Sequence, residues 1–189
     1  MLMQELFVLE SDQSVRKIRH LTQPSGMKWG NEFLKAESTM DREPGQLYVS
    51  FESDQIDLPD FFEVNGTPVV KEKMLQKLLS LASSDVEPIA TQIRFRNGEL
   101  SGYWLINVSS QCNAIDRETS EFSKFGPVIA RIFDLHLIRN AGVFPHLFRD
   151  PAYLDILFAS GEMVAKLNAG RFSGLEIRKA QGWNDGHRF

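Results

Sequence analysis

Gly102-Tyr103-Trp104-Leu105-Ile106-Asn107-Val108 runs directly into Ser109-Ser110-Gln111-Cys112-Asn113-Ala114-Ile115-Asp116, and the contrast between the two halves decides how the chain is read. The first half is the most apolar and aromatic strand candidate in the sequence. Alternation sends Tyr103, Leu105 and Asn107 to one side and Trp104, Ile106 and Val108 to the other. Both faces are mostly apolar, as in a strand covered on each side. The second half is polar and turn-prone, so it reads as a loop fed by a central strand.

Working outward, residues 86–95 pair with this strand through Arg96-Asn97-Gly98-Glu99. Asn-Gly tolerates positive φ, which predicts a type I′ hairpin turn there. Upstream, Val70, Met74, Leu75, Leu78, Leu79 and Ala82 recur every three or four residues, with Lys71, Lys73, Gln76, Lys77 and Ser80 between them. That spacing predicts an amphipathic helix over 70–82 lying across a sheet. Asn65-Gly66 marks a turn just before it. Leu6-Phe7-Val8-Leu9 and Leu47-Tyr48-Val49-Ser50-Phe51 read as strands, and residues 14–21 as one or two turns of helix. Residues 129–138 read as a strand with a helical start near Gly126, Phe133, Leu135 and Leu137 alternating with Asp134 and His136. His146-Leu147-Phe148-Arg149 returns, and residues 154–158 form another strand. Ser160 can cap a helix through Met163, Val164 and Leu167 that stops at Asn168 and Gly170. Residues 172–177 form the last strand.

The expected fold is therefore a single α+β domain, an antiparallel-rich sheet carrying a few packed helices. Residues 1–45 are expected to form an N-terminal strand and an irregular excursion packed on the main domain. Residues 46–180 form its core, and residues 181–189 a flexible tail.

With 189 residues the chain can bury a core without disulfides or metals. Lys and Arg number 21 against 25 Asp and Glu, a net charge of -4. That balance argues against a general nucleic-acid surface, which needs clustered cations. The single cysteine, Cys112, excludes an intramolecular disulfide and fits a reducing compartment. The first ten residues lack the basic leader and apolar run of a signal peptide, and no stretch approaches a membrane span. A cytoplasmic protein without membrane association is expected.

Catalytic signatures are scarce. No phosphate-cradling glycine loop and no Gly-x-Ser-x-Gly elbow is present; Phe172-Ser173-Gly174 lacks the outer glycine. His20, His136, His146 and His187 are scattered, and neither a metal site nor a cofactor is expected. Asp134 and His136, two apart on a strand, share a face and could form an acid–base pair, although a solvated strand face accounts for them more simply. Cys112 could be a nucleophile, but no histidine lies near it in sequence, and a small inert side chain is the simpler reading. Asp116, Glu118 and Glu121 could gather around a cation, yet Arg117 sits among them and the spacing matches no calcium loop. The unusual surface feature is residues 52–63, where Glu52, Asp54, Asp57, Asp60 and Glu63 occur without an intervening basic residue. A solvated loop is the default; the alternative is a docking face for a basic partner, where carboxylates steer association.

Three segments together resemble a family of bacterial polymorphic-toxin immunity proteins, typified by a myxobacterial immunity protein and long catalogued as a domain of unknown function. The first is Leu58-Pro59-Asp60-Phe61-Phe62 with Gly66, Pro68-Val69-Val70 and the 74–79 helix. The second is Tyr103 to Val108 leading to Ile115-Asp116 and Ser120. The third runs from Ile132 through Leu147-Phe148-Arg149 to the Ser160 helix and Gly174-Leu175. Where the family pattern has an Asp-Cys pair just before Ile115-Asp116, this chain has Asn113-Ala114.

The resemblance implies inhibition by binding: a non-enzymatic protein that neutralises a cognate protein toxin, with no catalytic residues to carry over. A basic toxin would suit the carboxylates, which makes Glu52, Asp54, Asp57, Asp60, Glu63, Asp116, Glu118 and Glu121 the candidate partner-binding residues. No oligomeric state follows. Two other readings stay open: a small hydrolase or transferase using Asp134 and His136 or Cys112, and a general protein-interaction module.

Overall fold

The computed structural model describes residues 4–12, 20–22, 47–50, 57–64, 66–126, 128–139 and 142–188. In order, its elements are β1 (Leu6–Ser11), β2 (His20–Thr22), β3 (Leu47–Ser50), β4 (Phe61–Val64), β5 (Thr67–Lys71), α1 (Glu72–Ala82), β6 (Val86–Phe95) and β7 (Gly98–Val108). These are followed by β8 (Glu121–Phe125), β9 (Val128–Asp134), β10 (Leu147–Asp150), β11 (Tyr153–Ser160), α2 (Gly161–Gly170), β12 (Leu175–Lys179) and a 3-10 turn over Asp185–Arg188.

β7 is an interior strand of a six-stranded sheet ordered β2-β3-β6-β7-β5-β4. All its pairs are antiparallel except β3 with β6. The two-faced pattern of β7 is realised: Leu105, Ile106, Asn107 and Val108 are all buried. Ile106 and Val108 meet α1, α2, Leu9, Leu157 and Phe61 in the main core, while Tyr103 packs on the other face with Val49, Phe62, Val69 and Ile93. Asn107 survives inside because its amide donates to the carboxylate of cross-strand Glu87 at 2.8 Å, satisfying a group that is costly to bury alone.

A second sheet, β10-β11-β1-β12, is antiparallel throughout. Its strands are two-faced as well. Leu9, Leu157 and Ala159 join the main core; Leu6, Val8, Ile156 and Phe158 form another core under β9, the 114–115 loop and Trp183. The fold is thus α+β and rich in antiparallel pairing. The Ser160 hydroxyl accepts the Met163 N–H at 3.2 Å and caps α2.

Several local expectations are corrected. Val70 pairs with Trp104 in β5, so the helix starts two residues later, at Glu72. The 96–99 turn is not type I′: register pairs Phe95 with Gly98, which makes Arg96 and Asn97 the central residues, and neither has positive φ. A Cβ at position 98 would stand 2.9 Å from Cζ of Phe95, so that ring would have to shift to admit a side chain. α2 ends at Gly170 as expected, and the left-handed C-cap that follows is Arg171 (φ 51). The 20–21 end of the expected N-terminal helix is strand β2, and residues 13–19 lie outside the described residues. Residues 121–125, read as part of a polar loop, form β8, and strand rather than helix follows Gly126. Phe133 does not share the inward side of Leu135 and Leu137. A register shift pairs Glu121 with Asp134 and Phe122 with Ile132, so Phe133 is extruded, 51% exposed. A bulge of this kind re-aims a side chain.

The chain end differs from the expected frayed tail as well. Trp183 and Asp185 are 3% and 1% exposed. The Trp183 indole N–H donates to Glu10 at 3.0 Å, and Asp185 accepts from Ile132 N and Arg131 Nε, both at 3.0 Å. This segment closes the second core.

Candidate partner-binding surface

Of the first acidic group, Glu52 and Asp54 lie outside the described residues. Asp57 is exposed, but Asp60 and Glu63 are used inside the fold. Asp60 Oδ2 accepts both the N–H and the hydroxyl of Ser173 at 2.9 Å, and its own N–H donates back to Ser173 Oγ at 3.0 Å. Lys71 Nζ stands 3.5 Å from Asp60 Oδ1, so a basic residue does neutralise this run. Gly174 makes the contact possible: its φ is +78, and a Cβ there would sit 2.2 Å from the Phe61 carbonyl oxygen. Glu63 accepts the N–H and hydroxyl of Ser11 at 3.2 Å.

Burial pushes the Asp60 carboxyl up, but the Ser173 bonds and Lys71 outweigh it and hold its pKa below the ordinary value. A depressed folded pKa gives stability that is present above the unfolded value and lost as pH falls through the folded one. The Asp60→Asn variant is therefore expected to lose less thermal stability than wild type as pH drops from about 5 to about 3, checked by melting curves across that range.

The second acidic group is gathered at the base of the β8–β9 hairpin. Asp116 Oδ1 accepts from the N–H groups of Glu118 and Thr119 at 2.9 and 3.3 Å, which holds the loop and keeps the Asp116 pKa below its usual range. Glu118 and Glu121 are exposed, and Glu121 lies opposite Asp134 in the register. Asp116 N donates to the His136 carbonyl, and Ser120 Oγ bonds both to that carbonyl and to His136 N. Asp116, Glu118, Glu121 and the Asp134–His136 pair thus share one region. Asp60 and Glu63 are tied to Ser173, Lys71 and Ser11 instead.

The enzyme candidates can be judged from geometry. His136 Nε2 lies 3.1 Å from Asp134 Oδ2, so the pair exists. Its other nitrogen, Nδ1, is 3.2 Å from Gln181 Nε2, while Gln181 Oε1 accepts from Leu137 N. That arrangement has Nδ1 accepting from Gln181 while Nε2 faces Asp134, so both ring nitrogens have partners within the fold. Burial and Asp150 push the Cys112 thiol up, away from the thiolate a nucleophile requires. Ser173 is spent on Asp60. A cleft of about 120 Å³ lined by Arg178, Lys179, Gly182, Trp183 and Asn184 is well below the size of a typical small-molecule site. Among the described residues, no three His, Cys, Asp or Glu side chains gather in a metal-binding group, and no helix is long and apolar enough to cross a membrane.

What the sequence reading missed is the hairpin itself. Phe125 is 84% exposed and Phe133 51%, on a two-stranded unit whose buried side is Phe122, Ile129 and Ile132. The available signal was slight: Phe122 and Phe125 within Glu121-Phe122-Ser123-Lys124-Phe125, ahead of Gly126-Pro127. A model of the immunity protein family Imm11 matches residues 8–182. This chain belongs to the Imm11 immunity protein family. No curated protein matches it. The Imm11 match runs from within β1 to the residue before Trp183, so most of the described fold, and not one motif, carries the family assignment.

Proposed function

We propose that this Imm11 protein neutralises a cognate protein toxin by binding it, without catalysing a reaction. The observation that carries the reading is the family match over residues 8–182. The site geometry supports it. Asp134–His136 offers no free ring nitrogen, Cys112 is held as a thiol, and the hairpin presents aromatic side chains of the kind that anchor protein interfaces. Of the candidate carboxylates, Asp57, Glu118 and Glu121 are exposed and are the ones placed to steer a basic toxin, acting in the cytoplasm of the producing cell.

The test is co-expression with the product of the neighbouring reading frame, scoring growth arrest by that product alone, then growth rescue and co-purification. Rescue together with a complex is the expected result; rescue with no complex at any salt concentration points to an enzyme that reverses the toxin's damage. In the same assay Cys112→Ser and His136→Ala are expected to protect as well as wild type. Loss of protection by either soluble variant would revive the hydrolase reading.

A further inference from the structure

We propose that the β8–β9 hairpin is the part of this protein that enters the toxin, seating Phe125 and Phe133 in an apolar recess with a basic rim. The proposal rests on the toxin-binding reading and names its surface.

The hairpin has two chemically different faces. Ile129 and Ile132 are buried in the core with the half-buried Phe122 against them, and the exposed Lys124 lies on the Phe122 side, its Nζ 5.1 Å from that ring centre. Alternation puts Glu121, Ser123 and Phe125 on the opposite face. Arg131 stands across from Ser123 and lies 5.7 Å over the Phe133 ring, which places both on that outer face. Phe133 reaches it only because the register shifts there. That shift disrupts the ladder and gains no core contact for the ring, whose exposure it creates. Two phenylalanines and an arginine on one outward surface match the composition of interface anchors.

The hairpin is also held in advance. The buried Asp185 carboxylate takes Ile132 N and Arg131 Nε, and Trp183 O accepts Leu135 N, so the outer edge of β9 is closed. β8 is hydrogen-bonded to β9 and to no other strand of the described fold. A fixed platform lowers the ordering cost of association. The occupant's chemistry follows from the base of the hairpin, where Asp116, Glu118, Glu121 and Asp134 collect around one exposed cation, Arg117, while Arg131 is bound by Asp185 and the exposed Lys124 lies toward the turn. An acidic base beside the Phe133 ring, with Phe125 exposed at the turn end, fits a protein recess with a cationic edge.

The experiment takes the neighbouring-frame product whose toxicity wild type relieves and measures its binding kinetics to wild type, Phe125→Asp, Phe133→Asp, the double variant Glu118→Lys with Glu121→Lys, and Lys77→Glu on the exposed side of α1. Melting temperatures within about 4 °C of wild type confirm folding. The expected result is that each Phe→Asp change weakens Kd by about thirtyfold or more. The double charge reversal slows association by about tenfold at low salt, an effect that shrinks at high salt. Lys77→Glu leaves both constants unchanged. Wild-type binding with the folded Phe variants within about threefold overturns the hairpin and leaves the toxin reading standing. No wild-type binding overturns both. A wild-type dimer that Phe125→Asp dissociates, with toxin binding intact, assigns the face to a second copy and also overturns the proposal.

Discussion

Asp150→Ala is expected to destabilise the protein by about 3–5 kcal/mol, a large share of a typical domain's stability. Asp150 is 1% exposed at the end of β10. Its Oδ2 accepts Ala114 N at 2.6 Å and Ile115 N at 2.8 Å, and its Oδ1 accepts Ala152 N at 2.7 Å. One carboxylate therefore holds two segments: the turn into β11, and the loop that leaves β7 and leads to the hairpin. Alanine strands three N–H donors, two of them on fully or nearly buried residues. Asparagine can still accept at one oxygen but turns an NH2 group toward another donor, so Asp150→Asn should cost less than alanine yet more than about 1 kcal/mol. Urea unfolding checks both. A loss under about 1 kcal/mol for alanine contradicts the assigned role.

Trp183→Ala is expected to cost about 3–5 kcal/mol as well, by emptying a large buried site. The ring packs with Leu6, Val8, Ile132 and Leu135, and its carbonyl and N–H groups bond to Leu135 N and Glu10. Trp183→Phe keeps much of the volume and removes only the indole donor, so it should cost about 1–3 kcal/mol. Hydrogen exchange at Ile132 and Leu135 should rise in the alanine variant before it rises in β6 or β7, because those two amides are held by the 183–185 segment. Uniform exchange changes across all sheets would show that the end segment is not a local clamp on the hairpin.

What was legible in the sequence follows how local each signal is. Tyr103–Val108, the 74–82 stripe and the Ser160 cap depend on periodicity and on a side chain bonding three residues away, and all three formed as read. β8 was missed because it is short and half polar, and its pairing needs β9. Phe133 was misassigned because period-two alternation cannot foresee a bulge. Trp183 was missed because its partner, Glu10, is at the opposite end of the chain, and a tertiary bond of that separation leaves no local trace. Asp60 and Glu63 looked free for the same reason: Ser173 and Ser11 are distant in sequence. The Asp134–His136 proximity was legible from spacing, but Gln181, which occupies the remaining nitrogen, was not.

The stretch after β7 is where these two lessons meet. Cys112 N donates to Arg149 O and Arg149 N to Ser110 O, so the loop runs as an extra ribbon beside β10 before Asp150 pins it. The Arg149 guanidinium bonds the Leu154 carbonyl and, at 3.3 Å, that of Gly66, which ties the two sheets together beneath it. The loop is thus a joint between the sheets and the hairpin, and burial and Asp150 push the Cys112 thiol within it up.

The most direct test is a titration of the toxin's activity by the purified protein. Inhibition by binding predicts that activity falls in proportion to added protein and reaches its floor at a fixed molar ratio, independent of preincubation time once the complex has formed. Progressive loss of toxin activity at amounts far below that ratio, growing with time and leaving no complex, would contradict it.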